Sequence, residues 1–314
     1  MKKLIFPLIL LYLASCSPDK PGRKTLQQTL FYFDTVITIT LCSSTLTQER
    51  FDSIMESIKA MAGKYDLIFN LYNKKSEIHQ LQGLKPGRSY PVKNELYGLL
   101  CRCKKYYDLT EGAFDITVGR ITRLYNFHDG AIPGTNMIRT NLKYVGMDKV
   151  FLADHRIRVA VEGMTFDMGG VAKGYIADCF SRYLREQGCT DFIVNLGGNL
   201  FASGRNERNK EWTIGIQHPR YPGRIIRKLK ISNKAVVTSG DYERYILRKK
   251  KRYHHILNPA TGLSVWNDII SVTIIAEDAE TADYLSTAFF VMGREKGKKF
   301  IQTVCKDQIR YYIY

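Results

Sequence analysis

The chain is expected to fold as an α+β protein, and three observations carry that expectation. Strand-like and helix-like segments are mixed along its 314 residues without the strict alternation of a doubly wound sheet. From Trp212 onward the pattern is mostly short runs of β-branched and aromatic residues. A hydrophobic content of 45% suffices for a real core, and neither an internal repeat nor a long linker divides the chain.

The N-terminus reads as a targeting segment. Lys2 and Lys3 precede an apolar stretch over 4–13, of signal-peptide length and too short to span as a mature helix. It ends in Leu13-Ala14-Ser15-Cys16, which resembles the lipobox of bacterial lipoproteins, where the cysteine becomes the acylated N-terminus. The competing reading is a buried N-terminal helix. The expected organisation is a signal peptide over 1–15, a lipid on Cys16, a polar tether over 16–30 and one folded domain over 31–314. That places the protein in a bacterial cell envelope, anchored to a membrane, with inner and outer membrane both open.

Residues 31–41 read as a strand. A long amphipathic helix follows, with apolar residues from Phe51 to Phe69 at three- and four-residue steps and Thr47 as its N-cap. A second helix is expected over 94–108, a loop or short strand over 112–119, and an exposed turn over 129–134. A helix beginning just after the paired Gly169 and Gly170 runs through Leu184 and stops at Gly188. A short strand over 192–196 ends in the tight turn Gly197-Gly198-Asn199. Strands follow over 212–217, 225–231, 235–238, 242–247 and 269–276. Arg248 to Arg252 forms a basic hairpin tip. A helix over 279–292 has Asp278 as N-cap and Gly293 as stop, and a last helix and a strand over 308–314 close the chain.

The formal charge of +17 fits an anionic ligand, an anionic membrane surface or plain solubility. No zinc-finger spacing and no RNP-type motif accompanies it, so no nucleic-acid partner is expected. Of seven cysteines, Cys16 is assigned to lipid. The other six are scattered, and disulfides and buried thiols both stay open.

Asp167-Met168-Gly169-Gly170-Val171-Ala172-Lys173-Gly174-Tyr175-Ile176-Ala177-Asp178 carries the most chemistry. Paired glycines let backbone N–H groups approach an anion, the helix that follows points its positive end there, and Lys173 adds a full charge. The same run also suits an ordinary strand-to-helix turn. Asp283 and Thr287 stand four apart on one helix face, a pair that suits a hard cation such as Mg²⁺ but also occurs in ordinary helices. In Arg252-Tyr253-His254-His255-Ile256-Leu257-Asn258-Pro259-Ala260-Thr261-Gly262, strand alternation allows one histidine at most to face a site. Thr238-Ser239-Gly240-Asp241-Tyr242-Glu243-Arg244-Tyr245 suits a polar ligand edge or a strand-end turn.

In order and together these clusters resemble the ApbE family of flavin transferases. Asp34-Thr35, Ser76-Glu77-Ile78, Gly112-Ala113-Phe114-Asp115-Ile116-Thr117, Asn195-Leu196-Gly197-Gly198 and Trp212-Thr213-Ile214-Gly215-Ile216 extend the resemblance from about Phe33 to Val304. It implies mixed, mainly antiparallel sheets packed with helices. It further implies a Mg²⁺-dependent FAD:protein FMN transferase that moves FMN from FAD to a threonine of a target flavoprotein and releases AMP. The acceptors would be flavin subunits of membrane redox complexes. A FAD pyrophosphatase and a non-catalytic FAD-binding lipoprotein are the alternatives.

Carried over residue by residue, the metal ligands would be Asp283, Thr287 and the backbone carbonyl of Ala172. Lys173, Ser239, Asp115, Gly169 and Gly170 would hold FAD. His255 would be the general base, with Asp178 as the weaker candidate. Arg120 and Tyr125 stand where the family usually carries Pro and Trp, and are expected to alter the grip on the flavin end.

Overall fold

The computed structural model describes residues 22–127, 129–305 and 308–314. The signal peptide over 1–15, Cys16 and the start of the tether lie outside the described residues. No helix among the described residues is long and apolar enough to cross a membrane.

The domain starts earlier than expected. Strand β1 (Lys24–Tyr32) and β2 (Thr35–Ser43) pair antiparallel along nine residues. Phe33 and Asp34 turn between them with left-handed φ of 55° and 53°. Residues 24–30, assigned above to the tether, are therefore strand, and the single strand expected over 31–41 is two strands and a turn. The physical reason is the alternation of β1: Leu26, Leu30 and Tyr32 pack on the core while Gln and Thr residues stand between them.

Helix α1 (Gln48–Phe69) is capped by Thr47 and buries the expected stripe. Then come α2 (Glu77–Gln80), β3 (Tyr90–Pro91), α3 (Asn94–Leu109), α4 (Gly119–Thr122), α5 (Thr135–Asn141), β4 (Val150–Ala153) and β5 (Arg156–Val159). Helix α6 (Ala172–Glu186) leads into β6 (Phe192–Leu196), β7 (Asn199–Ser203), β8 (Trp212–Gln217), β9 (Ile225–Ile231) and β10 (Lys234–Gly240). The chain ends with β11 (Tyr245–Arg248), β12 (Lys251–His254), β13 (Ser271–Ala276), α7 (Ala279–Met292), α8 (Arg294–Cys305) and β14 (Arg310–Ile313).

Among the described residues the main sheet has seven strands in the order β1-β2-β6-β7-β10-β13-β14, and each neighbouring pair is antiparallel. The α+β architecture is as expected. Alternation along the strands builds two cores. Val194, Phe201, Val237 and Ile274 face the helices, whereas Ile193, Ala202, Val236 and Ile275 face the hairpin β8–β9. The sheet is thus a middle layer, with α6 and α7 packed on its helical side.

Gly197 and Gly198 connect β6 to β7 with φ of 58° and 100°, a turn that glycine adopts without strain. Asn199, expected in that turn, opens the fully buried strand β7. Strand β10 runs on past Thr238, so Ser239 is held within the sheet. The strand expected over 242–247 begins only at Tyr245, because residues 241–244 turn around Asp241, which Arg220 grips with two bonds of 2.6 and 2.7 Å. All six described cysteines are free thiols.

Candidate functional site

The site forms where the first turns of α6 and α7 cross. A Cβ on Gly174 would lie 2.3 Å from the Ala279 carbonyl oxygen and 2.8 Å from Asp283 Cβ, so only glycine allows this approach. Its N–H donates to Asp283 Oδ2 at 3.0 Å. The positive end of α6 therefore meets the Asp283 carboxylate. Asp283 is only 3% exposed. Burial pushes its carboxyl up, and the Lys173 charge and the Gly174 N–H oppose that push.

The glycine turn ahead of α6 closes on itself. Asp167 Oδ1 accepts from Gly169 N at 2.9 Å, and Lys173 Nζ donates to the Gly169 carbonyl at 2.8 Å. Neither glycine has a positive φ, so close approach is what Gly170 provides. A Cβ there would stand 3.3 Å from Thr287 Oγ1 and 3.2 Å from the Phe114 ring. Thr287 Oγ1 lies 3.3 Å from Ser239 Oγ, which pairs with Ser286 Oγ at 2.8 Å. Residues 169–174, Ser239, Asp283 and Thr287 thus come together as one wall, from elements far apart in sequence.

Ala172 sits differently from its expected role. It is the first residue of α6, so its carbonyl points along the helix axis into the α6 ladder. Gly170 is the turn residue whose backbone lies against Thr287. The carbonyl that could join Asp283 and Thr287 around a cation is therefore that of Gly170.

Asp178 is also reassigned. Its two oxygens accept from Ala279 N and Glu280 N, both at 2.8 Å. Asp278 accepts from Thr281 N at 2.7 Å. Both carboxylates cap α7, and each Asp178 oxygen is engaged by one of its N–H groups. Burial, followed by the neighbouring Asp278 and Glu280 charges, pushes its pKa up to about 7 against the pull of the two N–H groups. Asp115 serves its own turn. Oδ1 accepts from Thr117 N at 2.8 Å and Thr117 Oγ1 at 2.6 Å, and burial raises its pKa to about 6. The residue of that motif which touches the glycine turn is Phe114.

The opposite wall follows the β11–β12 hairpin. His255 lies just beyond β12, where its N–H donates to the Arg244 carbonyl at 3.0 Å. Its Nδ1 faces the same carbonyl at 3.4 Å. A carbonyl only accepts, so this contact assigns the proton to Nδ1 and leaves Nε2 with a free lone pair. Burial, then the charges of Arg244, His254 and Lys173, drive its pKa down to about 3. His254 is the structural member of the pair, buried with Nε2 2.9 Å from the Val265 carbonyl.

Two site residues had no pattern to announce them. In sequence Glu243 belongs only to the cluster over 238–245. Its side chain is exposed, yet surrounding protein raises its carboxyl, with Lys173, Arg244 and Asp283 all acting on it. An open side chain inside dense surroundings marks a cleft, and the same holds for Tyr72, which is 65% exposed with a raised hydroxyl pKa beside Asp167, Arg244 and Asp34. A large exposed aromatic just past a helix end is the only signal Tyr72 offered.

Arg120 and Tyr125 do not reach this cleft through their polar groups. Arg120 bonds Asn141 Oδ1 at 2.6 Å and the Gly163 carbonyl at 3.2 Å. Tyr125 is buried, with its hydroxyl on the Gly262 carbonyl at 3.2 Å. Both tie chain segments together. Among the described residues no group of three or more His, Cys, Asp or Glu could hold a metal. A cation at this wall would rely on one carboxylate, a hydroxyl and a carbonyl.

Comparison with known proteins bears on the whole domain. The profile of the ApbE family matches residues 33–313. A FAD:protein FMN transferase of Klebsiella pneumoniae (strain 342) is 31% identical over 251 residues, covering 78% of each chain. One of Treponema pallidum (strain Nichols) is 31% identical over 260 residues, covering 77% of this chain and 72% of the relative. A crystal structure of the ApbE protein from Thermotoga maritima superposes with a TM-score of 0.83 at 32% identity, covering 92% of this chain and 94% of that one.

Proposed function

This chain belongs to the ApbE family, and from that premise we propose that it is a Mg²⁺-dependent FAD:protein FMN transferase. It takes FAD, joins the FMN phosphate to a threonine of an acceptor flavoprotein and releases AMP. The observation that carries the reading is the buried Asp283 carboxylate. It has the Thr287 hydroxyl one helical turn on, the Gly170 backbone against that hydroxyl, and only Lys173 as a compensating charge. A buried carboxylate disfavoured as an anion, with hard oxygen donors beside it, fits Mg²⁺, which takes few protein ligands and completes its shell with water and phosphate. Mg²⁺ held by Asp283, Thr287 and Gly170 would offset charge on the pyrophosphate and fix its orientation.

The chain's own residues supply the rest. Lys173 and the positive end of α6 stabilise charge on the phosphate oxygens. His255 is neutral above its depressed pKa, so Nε2 accepts the threonine proton without first having to lose one. The bond from threonine oxygen to the FMN phosphorus forms as the bond from that phosphorus to the AMP oxygen breaks. In-line placement and charge neutralisation carry such transfers.

A lipid on Cys16 would tether the enzyme to a bacterial envelope membrane, and acceptors in membrane redox complexes would then lie within reach. The test is incubation of the protein with FAD, Mg²⁺ and a threonine-bearing flavoprotein domain. Flavin-labelled acceptor with AMP supports the transferase. AMP and free FMN without label make it a FAD pyrophosphatase. Bound but intact FAD makes it a non-catalytic binding lipoprotein.

A further inference from the structure

A cavity of about 400 Å³ opens between β12, the loop after His255 and the last turn of α7. Tyr125, Tyr253 and Trp266 give it aromatic walls. Three of its wall groups are donors that lack an acceptor among the described residues. Asn258 Oδ1 already accepts from Ala260 N at 2.9 Å, and Thr261 Oγ1 from Leu263 N at 3.3 Å. Among the described residues this leaves the Asn258 side-chain NH₂, the Thr261 hydroxyl proton and the Lys251 ammonium without acceptors. Elsewhere on the wall, Asn267 is occupied by the Phe290 carbonyl and Ile269 N, and the Ser264 hydroxyl by the His254 carbonyl. Lys251 Nζ rests 3.8 Å from the centre of the Trp266 ring. An ammonium and two neutral donors on aromatic walls suit a carboxylate carried on a peptide.

The cavity borders the hairpin strand that leads to His255. Lys251 and Tyr253 share one face of β12, and His255 is the first residue beyond that strand. Strand β11 pairs Ile246 with Tyr253 and Arg248 with Lys251, so Arg248 shares the face. Of the cations at 248–252, only Arg252 meets a carboxylate among the described residues, Asp241 at 3.9 Å. Four residues of extended chain separate Lys251 from His255, about 13 Å.

We propose that this cavity and hairpin face dock the acceptor polypeptide, with a carboxylate about four residues from its threonine seated on Lys251, Asn258 and Thr261. The proposal rests on the transferase reading and adds the rule by which the acceptor is chosen. A bilayer is the less suitable partner, because the donors line a concavity and the ammonium lies flat on Trp266 instead of projecting.

Trp266 provides the readout. The chain has two tryptophans, Trp212 buried and Trp266 59% exposed, so a change in emission reports on the cavity. The full chain is titrated with two extended peptides that share one central threonine. One carries aspartates three to five positions from it, the other lysines. Vesicles of phosphatidylglycerol form a third arm. The aspartate peptide is expected to shift the emission and the lysine peptide to leave it unchanged. Lys251→Glu should weaken aspartate-peptide binding about tenfold or more, and salt should weaken it further. Equal response to both peptides, no response to the aspartate peptide, or indifference to Lys251→Glu overturns the proposal. A response to vesicles alone makes the surface a lipid contact and overturns it as well. Release of AMP from FAD without acceptor should be unchanged in Lys251→Glu, and a tenfold rise in KM for FAD would assign the cavity to the nucleotide. Absence of any FAD turnover in the unaltered protein counts against the transferase reading and leaves the peptide arms to judge the cavity.

Discussion

The two walls of the cleft are built in opposite ways. On the α6–α7 wall the polar groups are bonded in place. Gly174 brings two helices to backbone contact, Asp178 and Asp278 cap α7, and Glu280 accepts from Arg102 at 2.6 Å and Tyr106 at 2.7 Å. The hairpin wall is two four-residue strands joined by Lys249 and Lys250 in left-handed conformation, held at its base by Arg220 on Asp241 and by His254 on Ser264 and Val265. The difference matches the task assigned to each side. Charge on a pyrophosphate is best stabilised by donors that do not reorganise. A wall proposed to admit a polypeptide and accept a proton needs access more than rigidity.

The largest expected effect separates function from stability on the first wall. Asp283→Asn should lower Mg²⁺-dependent FAD turnover about 10³-fold, the scale of losing one preorganised electrostatic group. The same change removes a buried carboxylate that the fold disfavours as an anion, so the melting temperature should hold or rise. A variant that loses its fold together with its activity would show that Asp283 is structural. His255→Gln should lower turnover about 10²-fold or more while leaving FAD binding intact.

Next is the helix crossing itself. Gly174→Val places side-chain atoms where 2.3 Å is available, and overpacking of this kind costs about 1–3 kcal/mol or more. Urea denaturation measures it. Unchanged stability would mean that the two helices can separate freely, and the rigidity claimed for this wall would fall. On the other wall, Arg220→Ala leaves Asp241 without its two-bond partner, at about 1–3 kcal/mol. Its mark should be local: faster amide exchange over 244–255 with α6 and α7 unaffected. Uniform acceleration across the domain would deny the hairpin its separate behaviour.

How much of this could be read from the chain follows from how each contact is made. Asp283 and Thr287 were legible because helical spacing alone puts residues four apart on one face. That Gly170, and not Ala172, lies against Thr287 was not, since it depends on the residue at which α6 begins. Asp178 was misread because a carboxylate capping a neighbouring helix looks, in sequence, like one waiting for a substrate. Tyr72 and Glu243 reach the cleft only through long-range packing, and no local pattern records that. Strand β1 resembles a tether in sequence because a half-exposed strand of Thr, Gln and Lys has the composition of a linker. Its alternating Leu residues were the clue.

The smallest expected effect opposes the walls through pH. His255 has a folded pKa of about 3, below its ordinary unfolded value. As pH falls from about 6.5 toward 3, the unfolded chain takes up a proton that the folded chain refuses, and stability is lost. Asp178 behaves in reverse. Its folded pKa of about 7 lies above the ordinary carboxylate value, so between about pH 4 and 7 the folded chain holds the extra proton. Its contribution is present at the acid end and lost as pH rises through 7. In the unaltered protein the two partly cancel near pH 5. His255→Gln should therefore be more stable relative to the unaltered protein at pH 5 than at pH 8. Asp178→Asn should compare better at pH 8 than at pH 5. Denaturation midpoints at the two pH values give both double differences. A His255→Gln difference that does not change with pH would mean that His255 is as free to ionise in the cleft as in the unfolded chain, and the proton-accepting role proposed for that wall would lose its electrostatic basis.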